Sequence, residues 1–132
     1  MLKKEKKTIL IVDDDVDYLF QMKEGIKDMG FEVITAGTQK EAEDIIERTR
    51  PDLAILDLMM ENQDTGFILG HRIKNTYPDV PVIIVSAVTA ETGMLFDVTT
   101  EEDRDWIKAE LFLDKGIRMD QLHKEIKKLL KI

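Results

Sequence analysis

Short apolar runs of strand length recur along the chain: Thr8–Val12, Glu32–Ala36, Leu53–Leu58, Val82–Ser86 and Leu111–Leu113. Three are rich in β-branched residues, and two, ILIV and VIIV, show no alternation of apolar and polar positions. Unbroken runs of this kind fit strands buried on both faces, as in a parallel sheet. Helical patterns lie between them. Val16, Leu19, Phe20, Met22, Ile26 and Met29 mostly follow helical spacing, and Gly30 is a natural stop. Thr38 and Glu41 form a capping box ahead of Ala42, Ile45 and Ile46, with Pro51 beyond the end. Phe67, Leu69, Ile73 and Tyr77 predict a third helix before Pro78. Met119, Leu122, Ile126, Leu129 and Leu130 make the stripe of the last one, closed by Lys127, Lys128 and Lys131.

The pattern is β-α repeated five times, which predicts a doubly wound α/β fold with right-handed crossovers. The strand order expected is the flavodoxin-like 2-1-3-4-5 on a five-stranded parallel sheet with helices on both faces. The segment 87–109 reads less regularly. It holds small and polar residues from Val88 to Thr92, an apolar patch of Met94, Leu95 and Phe96, and a helical pattern over Glu101–Ala109.

Composition narrows the class. A chain of 132 residues, 43% hydrophobic and 35% charged, predicts one soluble domain able to bury its own core. It contains no cysteine, which rules out disulfides, thiolate metal sites and cysteine nucleophiles and suits a reducing cytoplasm. A net charge of −8 argues against a nucleic-acid groove. Lys3, Lys4, Lys6 and Lys7 resemble the start of a signal peptide, but the apolar run Ile9–Val12 is too short and ends in acids. No run approaches the ~20 apolar residues of a membrane helix.

The candidate chemistry sits where strands end. The first strand runs into Asp13, Asp14 and Asp15, and the third, DLAILDLMM, carries Asp57 at its end. In the 2-1-3-4-5 order the sheet reverses between strands one and three, so these acids meet in one crevice. Crowded carboxylates raise one another's pKa, and a divalent cation removes that conflict. A small all-oxygen site open to water and phosphate oxygens describes Mg²⁺. Taken singly, each acid reads as a solvated turn or helix cap, and Asp15 fits the start of the first helix. Ser86 at the end of strand four and Lys115 just after strand five reach the same sheet end. A hydroxyl and an ammonium there suit the oxygens of a phosphoryl group. His71 and His123 fall on helices away from the acids and are expected to be solvated.

With ILIVDDD, LDLMM, VIIVSA and FLDKG in this order, nearly the whole chain resembles the response-regulator receiver domain of two-component signalling. The resemblance implies a single receiver domain over residues 1–132 with no output domain, cytoplasmic and not an enzyme in the turnover sense. It implies phosphorylation of Asp57 by a sensor histidine kinase, a phosphotransfer protein or a small phosphodonor. Asp13, Asp14 and Asp57, with the backbone carbonyl of Met59, would hold Mg²⁺, and Ser86 and Lys115 would bind the phosphoryl oxygens. Phe112 falls at the family's switch aromatic. Movement of Ser86 with Phe112 would repack the face of the fourth helix, fifth strand and fifth helix for a protein partner or a second copy. Neither nucleic acid nor membrane is an expected direct partner.

The chain departs from the family pattern at several positions. Gly116 follows Lys115 where the family has Pro, and a trans peptide is expected there. Glu61 replaces the Pro four residues after the acceptor, and Gly66 stands one place late. The interval from Ser86 to Lys115, 29 positions, is several longer than usual, which makes 87–109 either a surface insertion or a remodelled output face carrying Met94, Leu95, Phe96 and Trp106. Apolar Met59 and Val88, at positions that tune phosphoryl hydrolysis in the family, predict slow self-dephosphorylation. Two rival readings are a pseudo-receiver that binds partners without phosphorylation and a Mg²⁺-dependent phosphohydrolase using Asp13 and Asp15. Flavin binding shares only the fold, since no Gly-rich phosphate loop follows strand one.

Overall fold

The computed structural model describes residues 6–60, 64–87 and 109–132. Five parallel strands, β1 (Thr8–Val12), β2 (Glu32–Ala36), β3 (Leu53–Asp57), β4 (Val82–Ser86) and β5 (Leu111–Asp114), form one sheet in the order β2-β1-β3-β4-β5. Helices α1 (Val16–Asp28), α2 (Gln39–Arg48), α3 (Thr65–Thr76) and α4 (Met119–Leu130) connect and cover it. The expected flavodoxin-like order is the observed one. The helix expected within 87–109 lies outside the described residues, together with Val88, Met94, Leu95, Phe96, Trp106 and, in the β3–α3 loop, Glu61.

Strand pleating sorts the apolar residues into two cores, as alternate side chains must point to opposite faces. Leu10, Val12, Ala54, Leu56, Val82 and Ile84 pack on one face with Ala42 and Ile46 of α2 and Leu69 and Ile73 of α3. Ile9, Ile11, Leu53, Ile55, Ile83 and Val85 pack on the other with Met22 and Ile26 of α1 and Leu122 and Ile126 of α4. The central strands β3 and β4 are buried along their whole length, which is why their sequences do not alternate.

Local signals hold each helix in place. Asp15 caps α1, accepting from the N–H groups of Asp17 and Tyr18 at 3.0 and 3.2 Å, and Gly30, at φ +97°, stops it. Thr38 caps α2 through the Glu41 N–H at 3.0 Å, while the Glu41 carboxylate reaches back to the N–H of Gly37 rather than Thr38. Tyr77 ends α3 and donates its hydroxyl to Ile46 O at 2.6 Å, tying α3 to α2.

Three expectations need correction. β3 stops at Asp57, one residue early, although Leu58 stays buried and donates its N–H to Val85 O at 2.9 Å. β5 runs one residue further, to Asp114, because Asp114 still pairs with Ser86 of β4. Val16 and Phe20, counted in the stripe of α1, stand 78% and 63% exposed. They lie six residues before Met22 and Ile26, a separation that turns the helix about 120° out of line with the buried row.

Candidate functional site

The strand ends gather the acids. Asp13 follows β1 directly and donates its N–H to Ala36 O at 3.1 Å, so the pairing with β2 carries one residue past the strand. Its Oδ1 accepts the Asp15 N–H at 2.9 Å, which turns the chain sharply into α1 and leaves Oδ2 facing the crevice. Asp57 ends β3 beside it. Asp13 and Asp57 are both buried, and Asp14 is exposed at the rim. Carboxylate oxygens of all three lie within 4.8 Å of one another.

Gly66 makes the approach of α3 possible. A Cβ there would stand 2.8 Å from Leu58 Cα and 2.9 Å from Asp57 O, closer than any side chain tolerates. The Gly66 N–H meets Leu58 O at 2.9 Å, fastening the helix start to the backbone that carries Asp57. Gly66, one place late by the family pattern, has a clear geometric use.

Lys115 supplies the cation. Its N–H donates to Ser86 O at 2.8 Å, so the β4–β5 ladder continues to the lysine. The Lys115–Gly116 peptide is trans. The turn is held by Asp114, whose Oδ1 accepts the Gly116 N–H at 2.6 Å and whose carbonyl accepts the Ile117 N–H at 3.0 Å. Asp114 thus closes an Asx turn where the family usually has proline. From this anchor the ammonium reaches 2.8 Å from Asp13 Oδ2 and 3.4 Å from Asp57 Oδ2. The Asp13 contact is an ion pair more than an aligned hydrogen bond.

One lysine does not neutralise three acids. Burial, and then the charge of Asp13, push Asp57 from 3.8 up to about 6, against the opposing pull of Lys115. Burial alone would lower Lys115, but the Asp13 contact and the charges of Asp57 and Asp13 outweigh it and hold its pKa above the usual value. Tyr18, whose ring faces the ammonium, is raised by burial and by Asp13, Asp57 and Asp114. Among the described residues, the crevice is an anionic site short of positive charge. Its donors are hard oxygens at mutually compatible distances, which is the fit required by a divalent cation such as Mg²⁺.

The other predicted residues are placed as follows. Ser86 is buried at the end of β4, on the sheet end that carries the acids. Met59, two residues beyond Asp57, has an exposed side chain. Phe112 of β5 is half-buried against the core shared with α3, on the sheet face opposite Leu111 and Leu113. The two histidines are half-buried rather than solvated: His123 packs edge-on to Phe31 with ring centroids 6.3 Å apart. Sequence reasoning missed Tyr18, whose ring lies 4.8 Å from the Lys115 ammonium. Its placement four residues after Asp14, inside the first turn of a capped helix, was the available signal.

A doubly wound domain with three acids and a lysine at the point of strand reversal defines the acceptor class of signalling modules. Residues 9–127 match the family model described as the response regulator receiver domain, and the chain belongs to that family. Among solved structures, the CheY-like receiver domain protein of Methanospirillum hungatei JF-1 is 25% identical, with a TM-score of 0.80 over 96% of this chain and 95% of that one. Response regulator TrrA of Thermotoga maritima, solved in complex with Mg²⁺–BeF, is 27% identical, with a TM-score of 0.75 over 93% and 98%. Transcriptional regulatory protein PrrA of Mycobacterium leprae is 39% identical over 79 residues, 60% of this chain and 34% of that protein. The heme response regulator HssR of Staphylococcus aureus is 35% identical over 78 residues, 59% and 34%. The chain spans about a third of the length of these curated relatives. Among the described residues, no helix is long and apolar enough to cross a membrane.

Proposed function

We propose that Asp57 is the phospho-acceptor of this receiver domain and that phosphorylation there switches a partner-binding face. One observation carries the reading. A buried carboxylate, held near neutrality in its proton affinity, lies 3.4 Å from a lysine and against two further acids at the sheet reversal.

In the transfer, an Asp57 carboxylate oxygen forms the new O–P bond. The donor's P–N or P–O bond breaks, and its electron pair leaves with imidazole or with a small carboxylate. Asp57 attacks as the carboxylate, the form that prevails above about pH 6. Asp13, Asp14, Asp57 and the Met59 carbonyl would hold Mg²⁺, which supplies the positive charge that makes phosphoryl oxygens tolerable beside carboxylates. Lys115, now paired with Asp13 and Asp57, exchanges the Asp57 contact for a phosphoryl oxygen. Ser86 donates its hydroxyl to another. Its movement is coupled to Phe112, which repacks β5 and the neighbouring helices into the face read by a partner.

The donor is a sensor histidine kinase, a phosphotransfer protein or a small phosphodonor. The domain accepts one phosphate and slowly releases it; it does not turn over substrate. A cytoplasmic location, a protein target and pairing of two copies on phosphorylation belong to the same reading. With a net charge of −8, direct contact with nucleic acid does not.

The test is acetyl phosphate or beryllofluoride with Mg²⁺, applied to wild type and Asp57→Asn, read by intact mass and by size in solution. One phosphate per wild-type chain and none on Asp57→Asn is expected. Equal labelling of the two proteins, or none of either, overturns the assignment.

A further inference from the structure

Lys115 stands on a turn with glycine at its next position and reaches the crevice through a four-carbon stem with several free torsions. In the resting structure Asp13 and Asp57 draw its ammonium down. Those are the same two groups that a divalent cation and a phosphoryl group would occupy in the working state. Carboxylate pairing therefore orients the lysine best when it is not needed. A second hold is required, and it must not be consumed by loading the site.

Tyr18 meets that requirement. Its ring, half-buried on the first turn of α1, presents its face to the ammonium at 4.8 Å from the centroid, well within cation–π range. Its hydroxyl is buried with no hydrogen-bond partner. An orphaned buried hydroxyl is a cost, so the useful part of the side chain is the ring. The attraction comes from the ring's quadrupole, which neither a cation nor a phosphoryl group at the acids takes over. The opposite wall is fixed, because Lys115 N–H is tied to Ser86 O and the turn is closed by Asp114.

We propose that Tyr18 is a positioning residue that holds the Lys115 ammonium over the acid crevice through its ring, in the resting and the loaded states alike. The inference rests on Lys115 being the phosphoryl-binding cation. It assigns to α1 a task that the glycine turn leaves open, namely restricting a lysine that lacks the usual proline beside it.

The experiment compares wild type, Tyr18→Phe and Tyr18→Leu, each also with Lys115→Ala, using acetyl phosphate and Mg²⁺ for rate and beryllofluoride with Mg²⁺ for affinity. Nuclear magnetic resonance of the Lys115 side chain gives the direct signature. Its ε-methylene protons sit near the ring face and resonate upfield in wild type and Tyr18→Phe, and return to ordinary values in Tyr18→Leu. Tyr18→Leu is expected to lower phosphorylation rate and beryllofluoride affinity between about 2-fold and 30-fold, the range of cation–π attractions. Tyr18→Phe keeps the ring and retains both. Without Lys115, the leucine change has no further effect. The proposal is overturned if Tyr18→Leu changes rate and affinity by less than 2-fold, if Tyr18→Phe falls as far as Tyr18→Leu, or if the loss persists in Lys115→Ala. Wild type that labels on Asp57 while ignoring Tyr18→Leu sinks this inference alone. Asp57→Asn that labels like wild type sinks the site assignment beneath it.

Discussion

In metal-free protein, Asp57→Asn is expected to raise stability at neutral pH. Burial and the neighbouring Asp13 carry the Asp57 carboxyl from 3.8 to about 6. A group whose folded pKa is raised binds its proton more tightly in the native state. Its favourable contribution is fully present below about 4 and is lost as pH rises through about 6, where folding must pay to keep the carboxylate charged. A tenfold change in proton affinity is worth about 1.4 kcal/mol, so the cost above pH 6 is about 3 kcal/mol. Asparagine has nearly the same shape and no charge. Its carbonyl can face Lys115 and its amide Asp13, so most of that cost should be recovered. Urea unfolding with a chelator present, at steps from pH 4 to pH 8, measures this. The mutant is expected to exceed wild type by about 1–3 kcal/mol at pH 7 and to converge with it near pH 4. Added Mg²⁺ should narrow the pH 7 gap by stabilising wild type more. A mutant no more stable than wild type at pH 7, or an advantage independent of pH, would refute the reasoning.

Gly66→Ala should cost about 1–3 kcal/mol in urea unfolding, because the new Cβ meets the backbone of Leu58 and Asp57, which has no room to yield; an unchanged midpoint would contradict this. Gly116→Pro removes the N–H that Asp114 accepts and should lower stability by about 0.5–1.5 kcal/mol, with no loss counting against the Asx turn as the hold on Lys115. Met59 has no hydrogen-bonding group to orient water at Asp57, so Met59→Asn should speed decay of the phosphorylated protein, followed by intact mass; equal or slower decay rejects the idea.

The sheet and its acids were legible because both follow from local chemistry. Unbroken apolar runs such as ILIV and VIIV leave no polar face, so their strands had to lie centrally, and the acids ending strands one and three had to meet at the reversal of strand order. What was not legible depends on directions that spacing does not carry. Val16 and Phe20 share helical spacing with some of their neighbours, yet they face away from the buried row of Met22 and Ile26 and stand in solvent. FLDKG drew attention to Lys115, and only the folded turn shows the Asp114 carboxylate closing onto Gly116. Tyr18 belongs to neither the helical stripe nor the acid motifs read along the chain, and only the fold brings its ring over Lys115.

The crevice keeps Asp13 and Asp57 buried and close, which disfavours the charged state that attack on a phosphoryl donor requires. Lys115 offsets part of that cost and cannot remove it, because Asp57 remains raised with the ammonium 3.4 Å away. Whatever brings positive charge to the acids therefore both stabilises the fold and lowers the proton affinity of Asp57. With Asp57 as the proposed acceptor, stability and reactivity are expected to respond to the same ligand. Wild type titrated with Mg²⁺ should show the unfolding midpoint and the acetyl phosphate labelling rate rising over one concentration range. Separation of the two curves would mean that the stabilising cation binds somewhere other than beside Asp57.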